Sequence, residues 1–256
     1  MSYIFREHIK QSLAVIAFLI TLTACTSESY DAGDGPNSYL TADLVLLHTS
    51  QDKSVRSALL DDGTTLQFSN PFAQDWLTRP DSVYRALLYY DKTVAASDAA
   101  ASNPTATSIV RARSVRPVSV LRPVEAEDMK TLRTDPVGFE SLWMSKNKSY
   151  INLSLLLKSG KTEADDAMHA LGIVSHGTTT DADRRRTLHL TLYHDQGGVP
   201  AYYTVQQYVS IPTQLLEEAD TVELTLNTYN GNKVVKVAVS NLADSNIFLT
   251  KRLLRF

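Results

Sequence analysis

Between Thr187 and His194, leucine holds positions 188, 190 and 192, while His189, Thr191 and Tyr193 fill the places between. Successive side chains of a strand point to opposite faces, so this alternation buries one face and turns the other toward solvent or a neighbouring layer. Val222, Leu224 and Leu226 repeat the pattern. No stretch offers the alternative, a long run with an apolar residue every third or fourth position, which an amphipathic helix needs. The period of two commits the chain to strands, and the fold class it predicts is all-β.

The strand-length segments fall into two groups. The first holds five, at Tyr39 to His48, Val55 to Leu60, Thr64 to Phe68, Val83 to Tyr90 and Ile109 to Leu121. Asp62-Gly63 stands between the second and third and supplies the positive φ values of a tight hairpin turn. The second group holds seven, at Phe139 to Met144, Tyr150 to Leu157, Met168 to Ser175, Thr187 to His194, Tyr202 to Ile211, Thr221 to Tyr229 and Lys233 to Ser240. Seven short strands at this spacing predict a β-sandwich. Gln196-Gly197-Gly198 and Asn230-Gly231-Asn232 read as hairpin turns, and Pro212 closes its strand. Between the groups, residues 122–136 form a linker in which prolines bracket a charged segment, with Glu125 to Leu132 able to make two helical turns. The alanine-rich Val94 to Thr107, interrupted by Asn103-Pro104, reads as a loop. The domains expected are therefore 39–121 and 137–241, followed by a tail at 242–256.

Residues 1–24 have the build of an export leader: Arg6 and Lys10 precede Leu13 to Leu22, apolar except for Thr21. That run is shorter than the about 20 residues needed to cross a bilayer. Leu22-Thr23-Ala24-Cys25 resembles the lipobox of bacterial lipoproteins, whose cysteine is diacylated on sulfur, freed by signal peptidase II and acylated on its new amine. The resemblance implies a lipid tether at Cys25 in a Gram-negative envelope, and Thr26, in place of Asp, implies the outer membrane. Two or more acyl chains, each buried methylene contributing about 0.8 kcal/mol, anchor durably. Residues 25–38, made largely of Ser, Asp and Gly with one Pro and one Asn, form a polar stalk that cannot bury enough apolar surface to offset its ordering entropy. Cys25 is the single cysteine, which excludes a disulfide scaffold and a zinc site built from several thiolates.

Motifs for catalysis are weak. The G-x-S-x-G form of a serine hydrolase is missing, and the adjacent Ser175 and His176 point apart in a strand. Asp165, Asp166 and His169, with His176 beyond, come nearest to metal-ligand spacing, but the following LGIV makes His169 the start of a strand, and no metal or cofactor is expected. His189 and His194 are an odd number apart and face opposite ways. A pair of carboxylates gathered from distant strands leaves no local spacing. An envelope hydrolase or carbohydrate-processing enzyme of that kind is the alternative to a chain without catalysis.

A net charge of −3 gives no long-range attraction for a phosphate backbone. Arg111, Arg113, Arg116 and Arg122 lack the interleaved aromatics on which bases would stack, so they read as a solvated face and no nucleic-acid partner is expected. Arg184-Arg185-Arg186 reads as an exposed turn. In Tyr202 to Ile211, parity turns Tyr202, Thr204, Gln206 and Tyr208 to one face, while the preceding strand turns out His189, Thr191 and Tyr193. Were Gly197-Gly198 to close a hairpin between those strands, Tyr193, Tyr202, Tyr208 and His189 would meet in a patch able to bind a sugar or a protein. Cross-strand pairing is the alternative use of that face. Asp81-Ser82-Val83 and Asp220-Thr221-Val222 resemble acceptors of bacterial O-glycosylation, and each also opens a strand.

In order along the chain stand the lipobox, the stalk, Asp61-Asp62-Gly63-Thr64-Thr65-Leu66, then Asp135-Pro136-Val137-Gly138-Phe139-Glu140-Ser141-Leu142-Trp143, then Tyr202 to Ile211 (YYTVQQYVSI). The succession resembles the NigD-like lipoproteins of Gram-negative anaerobes over nearly the whole chain beyond the leader. The resemblance implies a small five-stranded OB-like barrel followed by a seven-stranded, immunoglobulin-like sandwich, and it brings no established activity or catalytic residues. The function expected is that of an envelope lipoprotein acting as a binding or assembly module for a protein or glycan. Replacing Cys25 by Ser should move the exported protein from the detergent phase to the aqueous phase in a partitioning assay. Retention of the variant in detergent would remove the proposed anchor.

Overall fold

The structure is a computed structural model that describes residues 40–91, 108–161, 167–216 and 219–239. The leader, Cys25, the stalk, the alanine-rich loop, Asp165, Asp166 and the tail lie outside these residues.

Five strands, β1 (Leu40–Thr49), β2 (Val55–Leu60), β3 (Thr65–Phe72), β4 (Val83–Asp91) and β5 (Ser108–Pro117), close into a barrel in the order β1-β2-β3-β5-β4. This is the strand order of an OB fold, as expected. The Asp62-Gly63 turn forms: Gly63 has φ +90°, and Asp62 Oδ1 accepts the Thr64 backbone N–H at 2.9 Å. Alternate residues such as Val45 and Leu47, and Ala86 and Leu88, fill the interior. β3 runs beyond the predicted Phe68 because the β2–β3 register slips between Ser57 and Val55, bringing Phe72 opposite Val55. There the Phe72 ring meets Phe68 edge to face at 5.1 Å.

The predicted segment Ile109 to Leu121 is divided. Pro117 ends the barrel strand, and the chain enters the second body directly as β6 (Ser119–Val120) and β7 (Pro123–Glu125). β6 pairs in parallel with β12 (Tyr203–Pro212), and β7 in parallel with β10 (Ala170–Thr180), so one short run contributes a strand to each sheet. The 122–136 segment is thus built into the sandwich. Its two predicted helical turns reduce to one 3-10 turn at Ala126–Asp128, since Glu125 offers no side-chain cap and so short a segment does not offset the cost of helix nucleation.

Strands β8 (Gly138–Met144), β9 (Tyr150–Ser159), β11 (Arg186–Asp195), β13 (Thr221–Thr228) and β14 (Gly231–Ala238) complete the sandwich. One sheet is ordered β14-β13-β11-β10-β7 and the other β6-β12-β9-β8. The seven predicted strands are all present, and β6 and β7 add to them. Between the sheets lie Ile151, Leu153 and Leu155 from β9, Leu190 and Leu192 from β11, and Leu224 and Leu226 from β13. The Asn230-Gly231 hairpin joins β13 to β14, but Gly197-Gly198 makes no hairpin. Both edges of β11 are already taken, by β10 and by β13, so the chain crosses to the other sheet instead. Glycine is required at that crossing: a Cβ on Gly197 would lie 2.1 Å from the Met168 carbonyl oxygen.

On β9 the intervening residues Asn152 and Ser154 are also buried, Asn152 against barrel residues that cover this outer face and Ser154 beside Glu140 and Gln206 of its own sheet. The cover is built on Arg85 of β4, which is 4% exposed. Its guanidinium grips both Asp61 carboxylate oxygens, at 2.6 and 2.7 Å, and donates further to Asn152 Oδ1 at 3.0 Å and Ser210 Oγ at 3.1 Å. It also lies over the Tyr150 ring, 4.3 Å from the centroid. Asn152 donates back to Asp61 at 3.0 Å, and Ser210 donates to Asn152 at 2.7 Å. Removing one partner of such a pair strands the other without its hydration. Arg85→Met is therefore expected to cost about 2–4 kcal/mol in urea unfolding, discounted for the partial exposure of Asp61. Adding Asp61→Leu should recover part of that loss. A single-variant cost below about 1 kcal/mol would show that the network does not hold the two bodies together.

Candidate functional site

Beside this network a cleft of about 430 Å³ opens between barrel and sandwich. The barrel contributes Asp43 of β1, Asp61 and Asp62 at the β2–β3 turn, and Tyr89 of β4. The sandwich contributes Glu140 and Trp143 of β8, Ser154 of β9, Gln206 and Tyr208 of β12, and Lys146 from the β8–β9 turn.

The outer face of the four-stranded sheet follows from strand register. Trp143 is paired with Asn152, Ser141 with Ser154, and Ser154 with Tyr208, so these residues share one face and the core leucines share the other. Trp143 and Tyr208 meet across β9 edge to face, with centroids 6.3 Å apart and planes at 83°. Glu140 arrives there by an irregularity: β8 pairs Phe139 with Leu155 and Ser141 with Ser154, leaving Glu140 as the extra residue of a bulge. A bulge re-aims a side chain. The Glu140 carboxylate accepts hydrogen bonds from Ser154 Oγ at 2.6 Å and from Gln206 Nε2. Those two bonds hold its pKa below the ordinary carboxylate value. Burial pushes Asp62 upward, but hydrogen bonds from Thr64 and the charge of Lys146 outweigh it, and its pKa is lowered as well.

Of the patch foreseen in the sequence, only Tyr208 lies in the cleft. Tyr202 precedes β12 at the far end of that strand, 78% exposed and packed close to Gly160. His189 and Tyr193 lie on the outward face of the other sheet, on the opposite side of the sandwich core. The expected meeting of the four fails because it needed the hairpin that Gly197-Gly198 does not make. His189 is engaged in cross-strand pairing, with Nδ1 3.1 Å from Glu223 and Nε2 2.7 Å from Thr179, and His176 pairs with Thr191 at 2.9 Å. Arg113 pairs with Asp91. Ser175 is buried while His176 is exposed, so the two do point apart. The Ser82 hydroxyl donates to the Pro80 carbonyl at 2.8 Å, and Thr221 opens β13. Among the described residues, no group of three or more His, Cys, Asp or Glu is placed to hold a metal. Asp43, Asp62, Tyr89, Glu140 and Trp143 were not singled out as binding residues from sequence. The parity of Ser141 and Trp143 was a readable signal, while the bulge that aims Glu140 was not.

Residues 120–239 match the family model of the NigD-like C-terminal beta sandwich domain. The fold is similar to the crystal structure of a NigD-like immunity protein from Bacteroides caccae, with a TM-score of 0.56 and 23% identity over 77% of this chain and 91% of that one. It is also similar to that of a lipoprotein candidate from Bacteroides fragilis, with a TM-score of 0.55 and 14% identity over 79% of this chain and 99% of that one. A protein of unknown function from Bacteroides vulgatus has a TM-score of 0.54 and 16% identity, over 80% of this chain and 94% of that one. At these identities the likenesses establish the fold. A search of curated proteins finds no match.

A second polar cluster lies away from the cleft. His194 is 1% exposed, and its Nδ1 lies 2.9 Å from the Asp135 carbonyl oxygen, so that nitrogen must donate. Its Nε2 lies 2.9 Å from His169 Nδ1, a contact that takes up one nitrogen of the second ring. This leaves His169 Nε2 buried without a hydrogen-bond partner, an unfavourable place for a second proton. Burial first, and His194 second, lower the pKa of His169 below the ordinary 6.5. A lowered histidine pKa means that the unfolded chain binds the proton more readily. The stability contributed is whole above pH 6.5 and is lost as pH falls through that value toward the folded pKa. Thermal unfolding between mildly alkaline and mildly acidic buffers should show this loss, and His169→Gln should flatten it. An identical pH profile in the variant would clear His169 of the effect.

Proposed function

We propose that this chain, whose residues 120–239 match the model of the NigD-like C-terminal beta sandwich domain, is a non-catalytic recognition module of the bacterial cell envelope. In this reading Cys25 carries the lipid that holds it at the membrane, the outer membrane being favoured by Thr26, and the cleft between barrel and sandwich receives a protein or glycan partner. One observation carries the choice of binding over catalysis. Carboxylates do converge in the cleft from separate strands, as a hydrolase would require, but their surroundings act in the wrong direction. A glycosidase-type pair needs one carboxyl with a raised pKa to donate a proton. Here Glu140 and Asp62 are both lowered, and Asp61 is engaged by Arg85. Carboxylates kept ionised are acceptors for a partner's donors. Trp143, Tyr208 and Tyr89 add flat contact area of the kind that anchors interfaces.

The test is capture from native envelopes by the intact lipoprotein. The Trp143→Ala/Tyr208→Ala variant should lose a partner that Tyr202→Ala and His189→Ala/Tyr193→Ala retain, with each variant's thermal unfolding recorded as a check on folding. Partners held undiminished by the cleft variant would exclude the cleft as the binding surface.

A further inference from the structure

Resting on the reading of the cleft as a recognition site, we infer that its ligand is a cationic side chain, a guanidinium or ammonium group presented by a basic peptide segment. The carrying observation is an aromatic pair set against acidic side chains inside one cavity. Trp143 and Tyr208 meet edge to face there, with Tyr89 on the barrel side. A ring face attracts a cation through its quadrupole, more strongly where water is thinned.

The charges agree with the rings. Asp61 is already neutralised by Arg85, but Asp43, Asp62 and Glu140 form no ion pair with any described residue, and Lys146 is the one lysine or arginine among the residues lining the cleft. Asp43 accepts the Tyr90 hydroxyl at 2.9 Å and Glu140 accepts Ser154 and Gln206, so each carboxylate is oriented in the cleft. An anionic ligand would meet this field as repulsion. A neutral sugar could stack on the rings but would leave the surplus negative charge unanswered.

The molecule also shows the same chemistry once within itself. Arg85 is held by a carboxylate fork and lies over the face of Tyr150. The cleft next to it offers a second set of the same parts, facing outward, with Lys146 as the one lining cation against Asp43, Asp62 and Glu140. A planar guanidinium suits both parts, because it stacks on a ring while its edge donates to a carboxylate.

Trp143 supplies the signal for a test. The chain has two tryptophans, and Trp76 packs on Tyr84 in the barrel at 5.8 Å, so Trp76→Phe leaves Trp143 as the sole reporter. A synthetic alternating Arg–Gly peptide should change its emission saturably, and the affinity should fall about tenfold in a Glu140→Gln/Asp62→Asn variant. Raised salt should weaken the binding in the parent and much less in that variant. Glu140 is exposed, so its replacement leaves the core intact. An alternating Glu–Gly peptide should produce no response. Absence of a saturable response to the arginine peptide, or a response of equal affinity after both charges are removed, overturns the inference. Binding of a neutral cello-oligosaccharide, undiminished in the charge-removed variant, also overturns it in favour of a glycan. If the arginine probe fails while the Trp143→Ala/Tyr208→Ala variant still loses its envelope partner, the cation falls and the recognition reading stands.

Discussion

A guanidinium with almost no access to water is the constraint around which this molecule is organised. Desolvating Arg85 would cost several kcal/mol if its donors were idle. Four hydrogen bonds, to Asp61, Asn152 and Ser210, and the face of Tyr150 offset that cost. The partners come from a barrel turn and from the two central strands of one sandwich sheet, β9 and β12. Satisfying one side chain therefore requires barrel and sandwich to meet in one register. Arginine suits the position better than lysine, because a single ammonium could not fill a bidentate site and two further acceptors at once.

The cleft is a by-product of that fit. Where the barrel lies on the outer face of β9, polar residues are buried; where it lifts away, Trp143, Glu140 and Tyr208 are left facing Asp43, Asp62 and Tyr89. Its lining is thus set by the same strand parity that builds the core, with one exception at the Glu140 bulge.

Strand identity was legible because alternation is local: Leu188, Leu190 and Leu192 announce a half-buried strand without reference to anything else. Hairpins were legible where a glycine with positive φ stood between strands free to pair, as at Gly63 and Gly231. Gly197 and Gly198 carry the same signature and a different outcome, since whether a turn closes a hairpin depends on which edges remain vacant, and β11 had none. Ser119–Val120 and Pro123–Glu125 are too short for any period to register, and their parallel pairing depends on strands far along the chain. The site was less legible than the fold. Tyr208 followed from parity, but the burial of Arg85 and the aim of Glu140 are decided by long-range contact and by one slipped residue, neither of which leaves a trace in composition or spacing.

The passage of the chain out of the barrel bears on how the two bodies can be inherited. β6 and β7 belong to the sandwich by hydrogen bonding yet follow the last barrel strand with scarcely a residue to spare. A cut that spares the barrel but discards this run would unzip a strand from each sheet of its neighbour. A cut upstream of it would bare the face on which Arg85 rests. Shuffling one body onto another protein is penalised from both directions, so barrel and sandwich are expected to travel through descent as a single heritable piece.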